Sequence, residues 1–483
     1  MASLLRTLRR NAIFSALSSV VRLSTTALLF ILVARAYGPE AFGQFTTAHT
    51  LSLIFTLFAD FGFDLLLTTE VARKREEASF LFPRILWAKL VCTTIVCLSM
   101  CLYGLLLSLS EPTRVLTMIF SSYLLFSALM SFMFALFRAH DELHHEAQIT
   151  FVVNVLLLGA LVILGAIHAS LYLVAVVFVL SRVLGLAIAW HRSRSIVTVR
   201  RPVRDPAWLA GQWREIMAFG LYFVFGNLFF TIDTMLLSMI KGDYHVGIYQ
   251  AVFRIAALFL MLPEVALSAI LPSLARIYVT DTQKWTQMGT ATSKFLFFIG
   301  LLIGTILVTL GDLVITLVYG RQGYEEAIPV MRIFGGIVVI RYAFAVPGMM
   351  LTTSGRQPVL TLIFICATVI TVGSNLFVIP PYGINGAAVV SLITNGFVMA
   401  AIFLALRSHV STNWLAYDRL IPLGLALVGI AVILSLPPDW RWIGVLALLL
   451  VFLPVVYLAG FSISERRLVK EAALQIVSRQ GLR

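Results

Sequence analysis

Residues 149–190 read "ITFVVNVLLLGALVILGAIHASLYLVAVVFVLSRVLGLAIAW". Two apolar runs, 149–167 and 171–190, stand on either side of His168-Ala169-Ser170. Each is long enough to cross roughly 30 Å of hydrocarbon as a helix. The runs are continuously apolar rather than alternating, which disfavours a barrel, and a helix satisfies its own backbone hydrogen bonds inside lipid.

Outward from this stretch the pattern repeats over the whole chain. Spans are expected at 12–34, 43–67, 86–109, 115–137, 149–167, 171–190, 217–240, 246–271, 294–318, 328–351, 359–379, 384–406, 419–436 and 441–460. Composition agrees: 60% of the residues are hydrophobic and 12% charged, with a mean hydropathy of +0.96, against about 45–50% and about 25% in ordinary globular domains. The 483 residues would be long enough for about three soluble domains, but their polar surfaces are missing. The expected fold class is an all-α integral membrane protein of about 14 transmembrane helices.

A net charge of +13 would suggest nucleic acid if it lay on one soluble face. It tracks the membrane instead. Alternate connections, beginning with Arg6, Arg9 and Arg10 and ending with the C-terminal tail, hold roughly 25 Lys and Arg against roughly five in the other set. The rich set is read as cytoplasmic, which places both termini inside and requires an even number of spans. Arg200-Arg201 also suits a phosphate-binding surface, although topology alone accounts for its charge. The first span, with "ARA" at Ala34 to Ala36, is too long for a secretory h-region and is read as uncleaved. Cys92, Cys97, Cys101 and Cys366 read as packing residues.

The longest polar connection, "HRSRSIVTVRRPVRDPAWLAGQWR" from His191, separates six spans from eight. Hydropathy thus suggests a duplicated six-helix unit. The segments are an N-terminal six-helix lobe at 1–190, a basic cytoplasmic linker at 191–216, a C-terminal six-helix lobe at 217–406, and two extra helices with a basic tail at 407–483. Every outer connection is short, which disfavours a glycan polymerase or membrane glycosyltransferase.

Ionisable residues inside spans must line something, because a charge at bilayer centre costs between ~3 and ~10 kcal/mol unless it faces protein or water. Arg22, Arg182, Arg254 and Arg341 are central in their spans, while Asp233, Glu264, Asp60 and Asp64 lie nearer the ends. That balance favours an anion, and guanidinium pairs bidentately with phosphate. The four arginines are therefore candidate ligands of a phosphate or pyrophosphate head group in a cationic chamber between two lobes. The competing reading is private ion pairs that only hold helices together. The acids are candidates for proton or Na⁺ coupling, or for a static salt bridge to Arg254. No other cofactor is expected.

"HDELHHEA" from His140 to Ala147 fails the zincin spacing, and no metal site is expected. Gly300 and Gly304 form a small-residue stripe typical of helix packing. No "GxxxxGK[ST]" loop occurs, so nothing in the chain indicates ATP-driven transport.

Three stretches carry a resemblance: "LVARAYGPEAFGQFTTAHTLSLIFTLFADFGFDLLLTTEVARKR", "IDTMLLSMIKGDYHVGIYQAVFRIAALFLMLPEVALSAILPSLARIY" and "TTSGRQPVLTLIFICATVITVGSNLFVIPPYGINGAAVVS". Together with the span count they make the chain resemble polysaccharide flippases, the oligosaccharidyl-lipid exporters related to multidrug and toxin extrusion proteins. Within them, Gly38-Pro39 and Pro380-Pro381 with Gly383 read as tight turns. The resemblance implies two six-helix lobes rocking between V-shaped inward-open and outward-open states, with two extra helices forming a groove for a lipid tail. It places Arg22 and Arg254 on chamber-lining helices. The implied activity is translocation of a polyprenyl-(pyro)phosphate-linked oligosaccharide, such as an undecaprenyl-pyrophosphate O-antigen or exopolysaccharide unit, to the outer leaflet of the cytoplasmic membrane. Membrane lipids and other polysaccharide-assembly proteins are the expected partners, and nucleic acid is not. The rivals are a multidrug or cation antiporter and, from another class, the glycosyltransferase or polymerase.

Overall fold

The structure, a computed structural model, describes the backbone of residues 2–107, 109–197, 201–320, 323–407 and 417–462. Side chains are described from residue 25 onward, except at 215, 218, 222, 265, 268, 269, 272, 273 and 417. The described residues form helices with no strand. In order these are α1 (Ala2–Asp60), α2 (Phe63–Arg73), α3 (Ala78–Leu106), α4 (Glu111–Ala139), α5 (Leu143–Ala166), α6 (Leu171–Arg192), α7 (Pro206–Gly211) and α8 (Trp213–Lys241). Next come α9 (Asp243–Thr280), α10 (Thr282–Thr309), α11 (Gly311–Tyr319), α12 (Ala327–Thr353), α13 (Gln357–Arg407), α14 (Tyr417–Ser435) and α15 (Arg441–Val455).

By length and composition, 11 helices among the described residues can cross a membrane, or 12 if the bent pair at 25–60 and 63–73 is one span. Two helices, α1 and α13, are too long for one crossing. The 59 residues of α1 and the 51 of α13, as straight rods, would run about 90 and about 75 Å against a hydrocarbon core of roughly 30 Å. Each carries one glycine outside helical geometry, Gly38 (φ 77°) and Gly383 (φ 56°). Left-handed backbone of this kind favours glycine, and prolines flank both breaks. The expected spans 12–34 and 43–67 stand on either side of Gly38, and 359–379 and 384–406 on either side of Gly383. Fourteen is reached only when each kinked helix is counted as two.

Contacts resolve the chain into two compact units: Met1–Leu258 with Val318–Ala327 and Phe364–Val390, and Phe259–Leu317 with Ile328–Ile363 and Ser391–Arg483. In the first unit, Leu66, Phe82, Phe132 and Phe137 belong to a buried core built on α2, α3 and α4. One close backbone crossing, with α9, fixes α1 there. A Cβ on Gly43 would lie 1.8 Å from the Asp243 carbonyl oxygen, and one on Gly247 1.9 Å from that of Pro39. The Phe61 ring likewise occupies the place of a Gly220 Cβ, at 2.7 Å. Between α1 and α2 the chain bends by 42° at Phe61-Gly62, both with positive φ. Asp60 bridges the break by accepting the Asp64 N–H at 3.3 Å.

The second unit repeats the device. Gly304 and Gly335 bring α10 and α12 together, and Tyr342 packs over Gly300, so the small-residue stripe is a packing surface. Lys294 on α10 pairs with Asp418 at 2.5 Å, and Arg441 with Asp312 at 3.1 Å.

Cys92, Cys97, Cys101 and Cys366 are free thiols. Cys97 and Cys101, one turn apart, both reach Ser121.

Candidate functional site

The first unit contains an aromatic nest around a buried histidine. His49 of α1 lies 5.1 Å from Phe30, 5.5 Å from Phe120, 5.6 Å from Tyr123 and 6.3 Å from Phe178, centroid to centroid. Two arginines close on it. The Arg254 guanidinium of α9 sits 3.7 Å from the Phe30 ring centroid, and that of Arg182 of α6 sits 5.2 Å from Tyr123. Both act electrostatically on His49, and Arg254 also on Tyr123 and Tyr319. Tyr319 stacks on Tyr324 at 5.0 Å and donates to the Ala251 carbonyl at 2.9 Å, one turn before Arg254.

Neither guanidinium is neutralised by a described residue. Among the described residues neither arginine forms an ion pair, and the Nε of each is buried without a hydrogen-bond partner. Both side chains keep partial accessibility. A ring face returns up to about 2 kcal/mol to a desolvated cation, well short of what burying a lone charge costs. Such groups keep N–H donors available for an oxyanion, which guanidinium can clasp with two parallel bonds.

A second charged cluster in the same unit has the opposite character. Lys89 of α3, fully buried, donates to Asp60 at 2.6 Å and to Asp64 at 2.9 Å. Ser131 of α4 donates to the other Asp64 oxygen at 2.6 Å. The cluster joins both sides of the Phe61-Gly62 break to α3 and α4. Every member is engaged.

The remaining expected residues are dispersed. Asp233 of α8 is buried and accepts from Tyr249 at 3.0 Å and from Asn375 at 2.7 Å, whereas Arg254 has no salt bridge among the described residues. Arg341, in the second unit, donates to Asn395 at 3.1 Å. Glu264 lies on the accessible surface of that unit. The Arg22 side chain lies outside the described residues. The structure thus brings together Arg182 with Arg254, and Asp60 with Asp64. In "HDELHHEA", His140 contacts the Leu136 carbonyl at 3.1 Å, Asp141 pairs with Arg75, and His145 meets Glu142 at 3.4 Å.

Residues 8–278, more than half of the chain, match the family model described as polysaccharide biosynthesis protein. The chain belongs to the polysaccharide biosynthesis protein family. No curated protein matches it. Among solved structures, this polysaccharide biosynthesis protein is similar to the lipid II flippase MurJ in an inward closed conformation, at 13% identity, 92% coverage of this chain, 97% of that one and a TM-score of 0.73. It is also similar to an inward-facing multidrug resistance MATE transporter of the MOP superfamily, at 15% identity, 82% and 94% coverage and a TM-score of 0.64. A third is a MOP superfamily transporter from Pyrococcus furiosus whose binding pocket is described as reversed in polarity, at 16% identity, 84% and 95% coverage and a TM-score of 0.61. At these identities the shared property is the fold, that of a multi-pass membrane protein.

Sequence reasoning passed over three residues of this polysaccharide biosynthesis protein: His49, Lys89 and Lys294. His49 is a lone imidazole in an apolar span. Lys89 stands three residues inside an expected boundary, where a lysine reads as snorkelling to the interface. Lys294 is the first residue of an expected span, yet α10 begins at Thr282. The i,i+4 spacing of Asp60 and Asp64 was the available signal for a buried cation facing them.

Proposed function

We propose that this protein is a flippase that moves a polyprenyl-(pyro)phosphate-linked oligosaccharide from the inner to the outer leaflet of the cytoplasmic membrane by alternating access. The pair Arg182 and Arg254, without a counter-ion among the described residues and set against aromatic faces, carries the reading. Phosphate oxyanions supply the missing charge, and the rings around His49 offer apolar and stacking surface for the sugar attached to the head group. In this reading, residues 1–190 and 217–406 are the two moving lobes, 191–216 links them, and 407–483 adds two helices and a tail. The surplus of basic residues in alternate connections puts both termini in the cytoplasm. A proton or Na⁺ gradient or the membrane potential drives the cycle, with Asp233 and Glu264 as the first candidates for the coupling acid and Asp60 and Asp64, which hold Lys89, as the second; one charge crossing 100 mV supplies about 2.3 kcal/mol.

The test is transport by the purified chain in liposomes carrying a fluorescent polyprenyl-pyrophosphate oligosaccharide, scored by probe reaching the opposite leaflet. Arg254→Ala and Arg182→Ala should lower the rate while the melting temperature stays near that of the unaltered protein. Full transport by both variants would remove the cationic site. Efflux of cationic dyes without lipid translocation would favour the antiporter, and formation of a glycosidic bond the polymerase.

A further inference from the structure

In the first unit, three helices and the polar connection line a cavity of about 350 Å³. Leu86 and Leu90 of α3 form one wall, Leu129 and Met133 of α4 the floor, Leu186 and Trp190 of α6 the other wall, and Pro202 the roof. Each pair is spaced i,i+4, so each helix contributes a stripe and the cavity is an elongated groove. Its size falls at the lower end of the range for sites that hold small molecules. Apolar residues beside it on α3 and α6, Val91, Leu180 and Leu184, are exposed, so the groove opens on the surface turned to lipid.

The roof is built, not draped. The Val203 N–H donates to the Pro83 carbonyl at 3.0 Å, and Arg84 pairs with Asp205 at 2.8 Å. Asp205 also caps α7 through the Trp208 N–H at 3.1 Å. Arg84 and that amide together hold the Asp205 carboxyl below the usual range. These contacts seat Arg204 over the face of Trp87, 5.9 Å from the ring centroid.

Charge is left over beside the roof. Arg84 is taken by Asp205, and Arg192 by His145 and Gln148. Arg201 and Arg204 are exposed, and among the described residues neither forms an ion pair. An apolar groove open to the bilayer, with exposed Arg201 next in sequence to its Pro202 roof and exposed Arg204 over Trp87, matches a lipid with an anionic head group, and basic pockets between membrane helices bind such lipids.

We propose that this groove binds one anionic phospholipid of the surrounding bilayer, its acyl chain along α3, α4 and α6 and its phosphate on Arg201 and Arg204. The site shares no residue with the proposed translocation site and does not depend on that reading.

The experiment is native mass spectrometry of the full chain in neutral detergent, titrated with phosphatidylglycerol and phosphatidylcholine of matched acyl chains. One phosphatidylglycerol should be retained preferentially, by a factor on the order of ten. Arg201→Ala with Arg204→Ala should abolish the preference, and both side chains are exposed, so folding is preserved. Ala187→Trp, also at an exposed position, should fill the groove and lose the bound lipid with the arginines intact. Equal retention of both lipids by the unaltered protein would overturn the proposal. So would preference surviving the arginine substitutions, or survival in Ala187→Trp, which would mean that the cations attract anions without a chain-binding groove. A mass shift to a dimer in place of bound lipid would assign the groove to a second copy and also overturn it.

Discussion

Two groups of charges sit within one unit of this molecule and are treated in opposite ways. Lys89, Asp60, Asp64 and Ser131 are mutually satisfied, with the ammonium fully buried and both carboxylates on it. Arg182 and Arg254 keep some accessibility, lie against ring faces and have no acid of their own among the described residues. The first arrangement resolves its electrostatics internally and braces a broken helix. The second leaves its electrostatics open, which is what recognition of a passing anion requires. Intramembrane charge is therefore informative only together with its neutralisation.

The contrast breaks most visibly at Lys89. Lys89→Met strands two buried carboxylates and should destabilise the protein by about 3–5 kcal/mol, read as thermal unfolding of the purified chain in detergent. Adding Asp60→Asn and Asp64→Asn should recover most of that loss. Unchanged melting of Lys89→Met would deny the cluster its bracing role.

Arg254→Ala should leave melting nearly in place and lower lipid-linked oligosaccharide transport at least tenfold, about 1.4 kcal/mol or more. Arg254→Lys should recover only part, since a point charge replaces a planar fork. If melting falls while transport per folded molecule holds, Arg254 belongs with the structural charges. Arg182→Ala, farther from its ring, should cost less than Arg254→Ala, and the double variant should fall short of the summed effects if both hold one ligand. At the bottom of the scale, Arg75→Ala breaks an exposed pair with Asp141 and should move stability by less than about 1 kcal/mol.

Apolar runs such as 149–190 gave the helices, because lipid admits few alternatives to a helix. The glycine-proline breaks were also readable, since Gly38 and Gly383 needed a backbone that other residues resist. Arg182 and Arg254 were visible as charges in span centres. Their aromatic nest was not, because Phe30, His49, Tyr123 and Phe178 come from three helices whose faces are set only by packing. Lys89 escaped for a related reason: its partners are 25 and 29 positions away, and position along the span says nothing about them. Lys294 was misplaced because the first turns of α10, "TQKWTQMGTATS", are too polar to register as part of a span, yet they are helical.

The crossing of Gly43 and Gly247 has a consequence for inheritance. With peptide planes touching and hydrogen as the only substituent that fits, neither site tolerates even the smallest alanine unless its partner chain segment retreats. No single-step substitution there is gradual. Lineages of this protein should vary freely around the crossing while these two positions stay frozen, and a chain that had lost one of them would betray a rearranged contact elsewhere.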